Sequence, residues 1–286
     1  MFNRIALITN SNAPEVVETL NSTIAFLQSR DKEIVLDDCC ANITSEDNLE
    51  TAINEDDAAH CDLAIAIGGD GTMLKAAHMV CNHGIPLLGI NRGHLGFLAD
   101  IPADAIQKNL NAIFEGHYAE DERFMLYTQV LRDKEIILES YAFNDIIIHK
   151  WNIARLVEIA TYVDDTFVHQ QRSDGMIVST PTGSTAYALA GGGPILYPSL
   201  DALVLVPICP HTLTNRPIVI DGNSRIEIVV GTREIDHARL TSDGEVTGEL
   251  APGDHVCIQK KGQKIRLIHP PDHDHFSILR AKLQWG

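Results

Sequence analysis

The chain has 286 residues, 45% of them hydrophobic, and a formal net charge of −17 at pH 7. That length suits one large or two modest domains with real cores. The acidic balance argues against nonspecific nucleic-acid or anionic-membrane partners, and no apolar run approaches the roughly 20 residues of a spanning helix. The six cysteines, at 39, 40, 61, 81, 209 and 257, form no C-x-x-C pair, so neither a zinc ribbon nor a redox motif is supported and reduced thiols are expected. Met1 to Arg4 lead straight into Ile5-Ala6-Leu7-Ile8, too short a core for a signal peptide. The expectation is a cytoplasmic protein whose mature chain starts at Met1.

Ile5 to Thr9 reads as a first strand. Asn10 to Pro14 is a turn into a helix, with Pro14 at an early helical position and Val17, Leu20, Ile24 and Leu27 at helical spacing. Glu33 to Leu36 is a second strand, and the acidic stretch from Asp37 to Asp62 reads as loop plus a short helix. Leu63 to Ile67 is an apolar run suited to a strand buried on both faces. A helix is expected from Met73 to about Cys81, stopped by Asn82-His83-Gly84, and Pro86 to Ile90 forms another strand. Ala103 to Glu115 reads as a further helix ended by Gly116. Strands alternating with helices at this spacing predict a parallel sheet with helices on its faces.

From Arg123 onward the texture changes to short runs rich in Val, Ile, Tyr and Thr. They are separated by hairpin-type breaks at Arg132-Asp133-Lys134, Val163-Asp164-Asp165, Asp221-Gly222-Asn223 and Lys260-Lys261-Gly262. The expected fold class is a Rossmann-like parallel α/β domain, residues 1–116, followed by an all-β, β-sandwich-like domain, residues 117–270. A tail, residues 271–286, is expected to pack back onto the first domain.

The stretch around which the chain is organised is Gly68-Gly69-Asp70-Gly71-Thr72, between a strand and a helix. Backbone N–H groups of such a turn can face a phosphate, and the glycines place no Cβ in the way. Asp70 is unusual there, because a carboxylate repels phosphate. It suggests proton abstraction or metal chelation, or, more simply, a helix cap. Lys75 lies outside P-loop spacing and reads as a surface cation or a phosphate ligand. In the later loop Gly89 to Leu98, Arg92 suits a phosphate, and Phe97 suits either a base or the core. Asn144-Asp145 reads as a bulge or turn, or as a pair gripping vicinal hydroxyls. Thr180-Pro181-Thr182-Gly183-Ser184-Thr185 concentrates hydroxyls beside Pro and Gly, a good ligand loop. Thr185 to Ala190 reads as a helical turn.

The Gly68–Thr72 string resembles a signature shared by NAD kinases, diacylglycerol and sphingoid lipid kinases, and phosphofructokinases. The set becomes specific with Gly89-Ile90-Asn91-x-Gly-x-Leu-Gly-Phe, Asn144-Asp145, Ser173-Asp174-Gly175, Thr180 to Tyr187, and Pro210-His211 to Arg216-Pro217. In this order and spacing they are similar to a bacterial NAD kinase over nearly the whole chain. The rivals are a lipid kinase, which gives no reason for Thr180–Tyr187, and a dinucleotide sensor that binds without turnover.

The resemblance implies transfer of the terminal phosphoryl group of ATP, or in some members of polyphosphate, to the adenosine ribose 2′-hydroxyl of NAD, with Mg²⁺ or another divalent cation accompanying ATP. It makes Asp70 the proton acceptor. It places Gly71 at the same ribose, with Leu74 and Phe97 near adenine. Asn144 and Asp145 would hold the nicotinamide-side ribose, and Asp174 the nicotinamide amide. Thr182, Thr185, Ala186, Tyr187, Ala188, Leu189 and Ala190 would lie on the adenine side, and Arg155, Arg172 and Glu245 complete the NAD contacts. Gly68, Gly69, Gly71, Thr72, Lys75 and Arg92 would face ATP phosphates. No resident metal ligands are assigned. A homo-oligomer, dimer or tetramer, is expected. Two positions depart from the family: Asp145 stands where Glu is usual, and Glu245 where Gln or His is common. Asp272-His273-Asp274-His275 reads as a solvated tail, and His211 as a core or hinge histidine.

Overall fold

A computed structural model describes residues 2–44, 49–51, 60–92, 96–151, 155–212, 214–233 and 237–285. The chain divides into two compact units, Met1–Glu122 with Gln263–Gly286, and Arg123–Gly262.

The first unit carries a parallel sheet in the order β5 (Leu87–Asn91), β4 (Leu63–Gly68), β1 (Arg4–Ile8), β2 (Glu33–Leu36) and β3 (Glu50–Thr51). All six residues of β4 are buried, as a strand covered on both faces requires. β6 (Ile101–Pro102) pairs with β5, as do Leu267 and Ile268 near the end of β18 (His255–His269). Helix α1 (Pro14–Gln28) buries Val16, Leu20, Ile24 and Leu27. The apolar stripe therefore runs through Val16, and Val17 sits beside it half-buried. Each such aliphatic side chain removed from water contributes about 1.5–3 kcal/mol. Helix α2 (Asp38–Ile43) is capped by Asp37, which accepts the Cys40 N–H at 2.8 Å. It supplies the short helix expected after Leu36; residues 45–48 and 52–59 of that acidic stretch lie outside the described residues. Helix α3 (Asp70–Val80) begins three residues before the expected Met73, with Gly69 as its N-cap. Gly69-Asp70-Gly71 carries a loop-like composition but turns directly into the helix, which puts Asp70 in the first turn. Helix α4 (Ile106–Phe114) and the terminal helix α6 (His275–Leu283) complete this unit among the described residues.

Among its described residues the second unit is β-structure apart from a 3-10 turn at Gly183–Thr185 and a short helix at Tyr187–Ala190. A six-stranded antiparallel sheet runs β14 (Ile218–Asp221), β13 (Ala202–Ile208), β12 (Gly175–Ser179), β9 (Asp145–Lys150), β16 (Ala238–Ser242) and β17 (Glu245–Leu250). Opposing it are β10 (Val157–Val163), β11 (Thr166–Ser173), β15 (Ile226–Val230), the start of β18, and the hairpin β7 (Ala119–Arg132)–β8 (Glu135–Ala142). The core between them draws Ile146, Ile148, Met176, Val178 and Leu240 from one sheet and Ile159, Ile228, Val256 and Ile258 from the other. That is sandwich packing.

Two breaks are hairpins with both central residues left-handed: Asp133 and Lys134 at φ 52 and 70°, and Asp164 and Asp165 at 49 and 59°. The other two differ from expectation. Asp221-Gly222-Asn223 leads from β14 to β15, which belong to different sheets, so it is a corner and not a hairpin. Lys260-Lys261-Gly262 is no break, because β18 continues through it. There Lys260 pairs with Asp201 at 2.6 Å, and the Lys261 ammonium lies 4.3 Å from the centre of the Tyr141 ring. Partnered cations thus take the place of a turn. No helix among the described residues is long and apolar enough to cross a membrane.

Candidate active site

In the first unit, β4 delivers the chain to the N-terminus of α3. Gly69 and Gly71 are exposed, and Asp70 and Leu74 are half-buried. Thr72 and Met73 donate their N–H groups back to Gly69 O at 3.0 and 3.2 Å, leaving the amides at the tip of the first turn without helical partners. Asp70 is not the cap of its own helix: Gly69 holds that position and no side-chain cap bond forms. Its Oδ2 accepts the Phe97 N–H and its Oδ1 the Leu98 N–H, both at 3.0 Å. Gly96 lies so close that a Cβ there would stand 2.2 Å from Asp70 Oδ1. The second glycine-rich loop therefore closes on the carboxylate of the first. Gly93, His94 and Leu95 of that loop lie outside the described residues. Phe97 is half-buried, with the Lys282 ammonium 5.7 Å from its ring centre.

Behind this turn, the Thr72 hydroxyl donates to Asn10 Oδ1 at 2.5 Å. Lys75 keeps a partly exposed side chain, as a surface cation would, but it is paired and not free to swing. Its ammonium donates to Asp37 Oδ2 at 2.6 Å and to Thr9 O at 2.7 Å, and the Asp37 side chain is only 2% exposed. Arg92 pairs with exposed Glu18 at 2.8 Å.

In the second unit, a cavity of about 760 Å³ is lined by Asn144, Asp145, Asp174, Ala186, Tyr187 and Asp243, among others. Strand alternation builds its floor: Ile146 and Ile148 face the core, while Asp145, Ile147 and His149 line the cavity. Phe143 and Asn144 form a bend before β9, so the pair belongs to a turn. What holds that turn is Asp243, at φ 50° in the β16–β17 turn. Its Oδ1 accepts the Asn144 N–H at 2.7 Å and the Asp145 N–H at 3.2 Å, and its Oδ2 accepts the Phe143 N–H at 2.7 Å. Burial, and then the negative charge of Asp243, push the Asp145 carboxyl up to about 7.

The hydroxyl-rich loop packs against the same turn. The Thr180 hydroxyl donates to Phe143 O at 2.7 Å, and Gly183 passes so close to Asn144 O that a Cβ would meet it at 2.2 Å. Thr182 is buried and its hydroxyl accepts from Arg123 at 3.2 Å, and Thr185 donates to Thr182 O at 3.2 Å. Helix α5 (Tyr187–Ala190) exposes Tyr187 and Ala190, half-buries Leu189 and sends Ala188 into an apolar cluster with Ile147, Ile177 and Val206. The Ala188 side chain is thus core.

Asp174 bonds Lys150 at 2.6 Å. Arg155, Arg172 and Glu245 are exposed and do not line this cavity. His211 is also exposed, its backbone N–H bonded to Arg172 O, and is not a core residue. Sequence reasoning missed Asp243, His149 and Trp151, whose ring lies 3.6 Å from the Arg239 guanidinium carbon. Only the alternation through Asp145, Ile147 and His149 signalled any of these.

Comparison with known families accounts for both units. Residues 5–118 match the ATP-NAD kinase N-terminal domain, and residues 143–270 match the ATP-NAD kinase C-terminal domain. The chain belongs to the NAD kinase family. A NAD kinase of Marinomonas sp. (strain MWYL1) is 45% identical over 285 residues, spanning 100% of this chain and 97% of that protein. One of Pseudomonas entomophila (strain L48) is 43% identical, spanning 100% and 96%. Among solved structures, yeast NADH kinase complexed with NADH aligns with a TM-score of 0.90 at 23% identity, covering 100% of this chain and 88% of that one. An Archaeoglobus fulgidus NAD kinase in complex with ATP aligns at 0.77 and 21%, covering 99% and 100%. At such identities these likenesses speak for the fold, a parallel α/β unit joined to an antiparallel β unit. Family membership sets the lipid-kinase alternative aside.

Proposed function

We propose that this chain is an NAD kinase that transfers the terminal phosphoryl group of ATP to the 2′-hydroxyl of the adenosine ribose of NAD, making NADP. The observation that carries the reading is the Gly68–Thr72 turn, with one carboxylate in the first turn of a helix whose leading amides are open. A ribose hydroxyl is a poor nucleophile. A carboxylate within hydrogen-bond reach takes its proton as the bond to phosphorus forms, and Asp70 has that role. The rest of the chemistry is positioning and charge neutralisation.

Gly68, Gly69, Gly71 and Thr72 present the phosphate-facing backbone, with Arg92 at its edge. Lys75 acts through Asp37 and Thr9, fixing the turn rather than touching phosphate. Leu74 and Phe97 border adenine. Asn144 and Asp145, held by Asp243, grip the nicotinamide-side ribose, and Asp174 meets the nicotinamide amide. Thr182, Thr185, Ala186, Tyr187, Leu189 and Ala190 meet the adenine side of NAD, and Ala188, buried beneath them, supports their helical turn. Exposed Arg155, Arg172 and Glu245 contribute at the margin.

A divalent cation such as Mg²⁺ fits this edge by its donor chemistry. Hard oxygens, the Asp70 carboxylate and the phosphates themselves, are what it takes. When bound, it offsets the charge of the transferring group. The reading extends to a cytoplasmic homo-oligomer, as the family resemblance implies. The test incubates purified protein with NAD and MgATP and detects NADP with a dehydrogenase that accepts only the phosphorylated coenzyme. Product accumulating in proportion to enzyme is expected. Binding of NAD without product would leave a sensor.

A further inference from the structure

The stretch Asp272 to His275 is only in part a solvated tail: Asp272 and Asp274 are exposed, but His273 turns inward. β18 ends at His269, which is buried, and Pro270-Pro271 fold the chain back so that the His273 N–H donates to Pro270 O at 3.0 Å. The two imidazoles stack with ring centres 3.9 Å apart and an interplanar angle of 23°. Both point Nδ1 at one oxygen of Asp100: His269 at 2.8 Å and His273 at 2.6 Å from Oδ2. The side chains of Asp100, His269 and His273 are 7%, 3% and 15% exposed.

Two features set this cluster apart from an ordinary satisfied network. Asp100 Oδ1 and His269 Nε2 are buried with no hydrogen-bond partner, an unfavourable arrangement for a polar atom cut off from water. One ligand atom from each of the three residues lies within 4.8 Å of the other two, the one such trio among the described residues. Beside the trio opens a cavity of about 510 Å³, lined by Asp100, Lys108, Asn109, Asp272, His273 and Asp274 among others. It provides an access route and room for a further ligand such as water.

We propose that Asp100, His269 and His273 form a binding site for a divalent ion of the Zn²⁺ class. Two imidazoles and a carboxylate, with a fourth position open, are a donor set for such an ion. Mg²⁺, which takes hard oxygens and keeps its waters, is poorly served by imidazole, so this site is separate from the cation that travels with ATP. Ligand atoms around a tetrahedral ion with bonds of about 2.0–2.1 Å stand roughly 3.4 Å apart. The ion therefore replaces the two shared protons and spreads the imidazoles from Asp100 Oδ2 by something over half an ångström.

The position gives the site a consequence beyond the phosphoryl transfer proposed above. Asp100 closes the segment whose Phe97 and Leu98 N–H groups hold Asp70, and Ala99 of that segment accepts from the Asn91 amide at 3.1 Å. An ion at Asp100 ties this segment to the end of β18 and to the start of α6, stiffening the frame behind Asp70.

The test is Zn²⁺ titration of the full-length, metal-stripped protein by calorimetry, with thermal melts, alongside Asp100→Asn and His273→Gln. One equivalent is expected to bind wild type and raise its Tm. Each substitution should weaken binding by more than the roughly 100-fold that even outer-shell partners can carry, with the circular dichroism spectrum unchanged. Co²⁺ titration of wild type provides a readout that does not depend on the variants folding. Visible bands of a four-coordinate nitrogen–oxygen site are expected. Equal Zn²⁺ affinity in wild type and variants, no Zn²⁺ binding up to millimolar concentration, or an intense thiolate-to-cobalt band placing the ion on a cysteine would each overturn the site.

Discussion

Two loops, one in each unit, solve one problem in two ways. Each is irregular and must be held against a carboxylate. At the start of α3, Asp70 receives two backbone N–H groups from Phe97 and Leu98, and it is also the proposed base. In the β unit the work is divided: Asp243 receives the N–H groups of Phe143, Asn144 and Asp145, leaving Asp145 to face the cavity. The first arrangement couples loop position to chemistry. The second separates support from contact, so that damage there should appear in binding rather than turnover.

The sharpest way to break this contrast is Asp70→Asn. The amide keeps the shape and can still accept one of the two loop N–H groups, but it cannot take a proton. kcat is expected to fall roughly 10²-fold or more, with the far-UV circular dichroism spectrum retained. Turnover near the wild-type rate would remove the base assignment and leave Asp70 as a loop clamp alone.

A matched pair of glycine substitutions sharpens the contrast further. Gly96→Ala would press a methyl to 2.2 Å from Asp70 Oδ1, and Gly183→Ala would press one to 2.2 Å from Asn144 O. Overpacking of this kind costs about 1–3 kcal/mol, so both should lose stability in a thermal melt. The kinetics should differ. Gly96→Ala displaces the base and lowers kcat about tenfold, whereas Gly183→Ala shifts the Asn144 turn and raises the KM for NAD with a smaller change in kcat. The same kinetic pattern for both would collapse the distinction between the two loops.

What the sequence made legible follows the same division. β4 and its glycine-rich turn were readable because both signals are local: an uninterrupted apolar run, then residues that admit close backbone approach. The start of α3 was misplaced because Gly69-Asp70-Gly71 has loop chemistry, and only tertiary contact with Phe97 and Leu98 explains an acid there. Asp243 was opaque because its partners lie about a hundred residues upstream in the chain. The Asp100–His269–His273 cluster was hidden in the same way, with Pro270-Pro271 pointing to a surface turn. Lys260-Lys261-Gly262 misled in the opposite direction. Its turn-like residues are overruled by Asp201 and Tyr141, partners that no local window contains.

The gentlest probe is pH, acting on Asp145. Burial and the Asp243 charge raise its carboxyl from 3.8 to about 7. The folded chain therefore holds a proton that the unfolded chain releases near 3.8. Between those values the native state binds the extra proton, so this group's contribution to stability declines as pH rises from about 4 to about 7 and is constant above. Ribose hydroxyls need an acceptor, and only the ionised carboxylate offers both oxygens as acceptors. The KM for NAD should accordingly fall a few-fold from pH 6 to pH 8, with the change centred near 7. Asp145→Asn should bind NAD more weakly with a flat profile, while His149→Gln, altering a neighbour on the same strand face, should keep the slope. If the slope instead followed His149, the titrating group would lie four residues along β9, and Asp145 would be reduced to a buried acid whose proton never leaves in the working range.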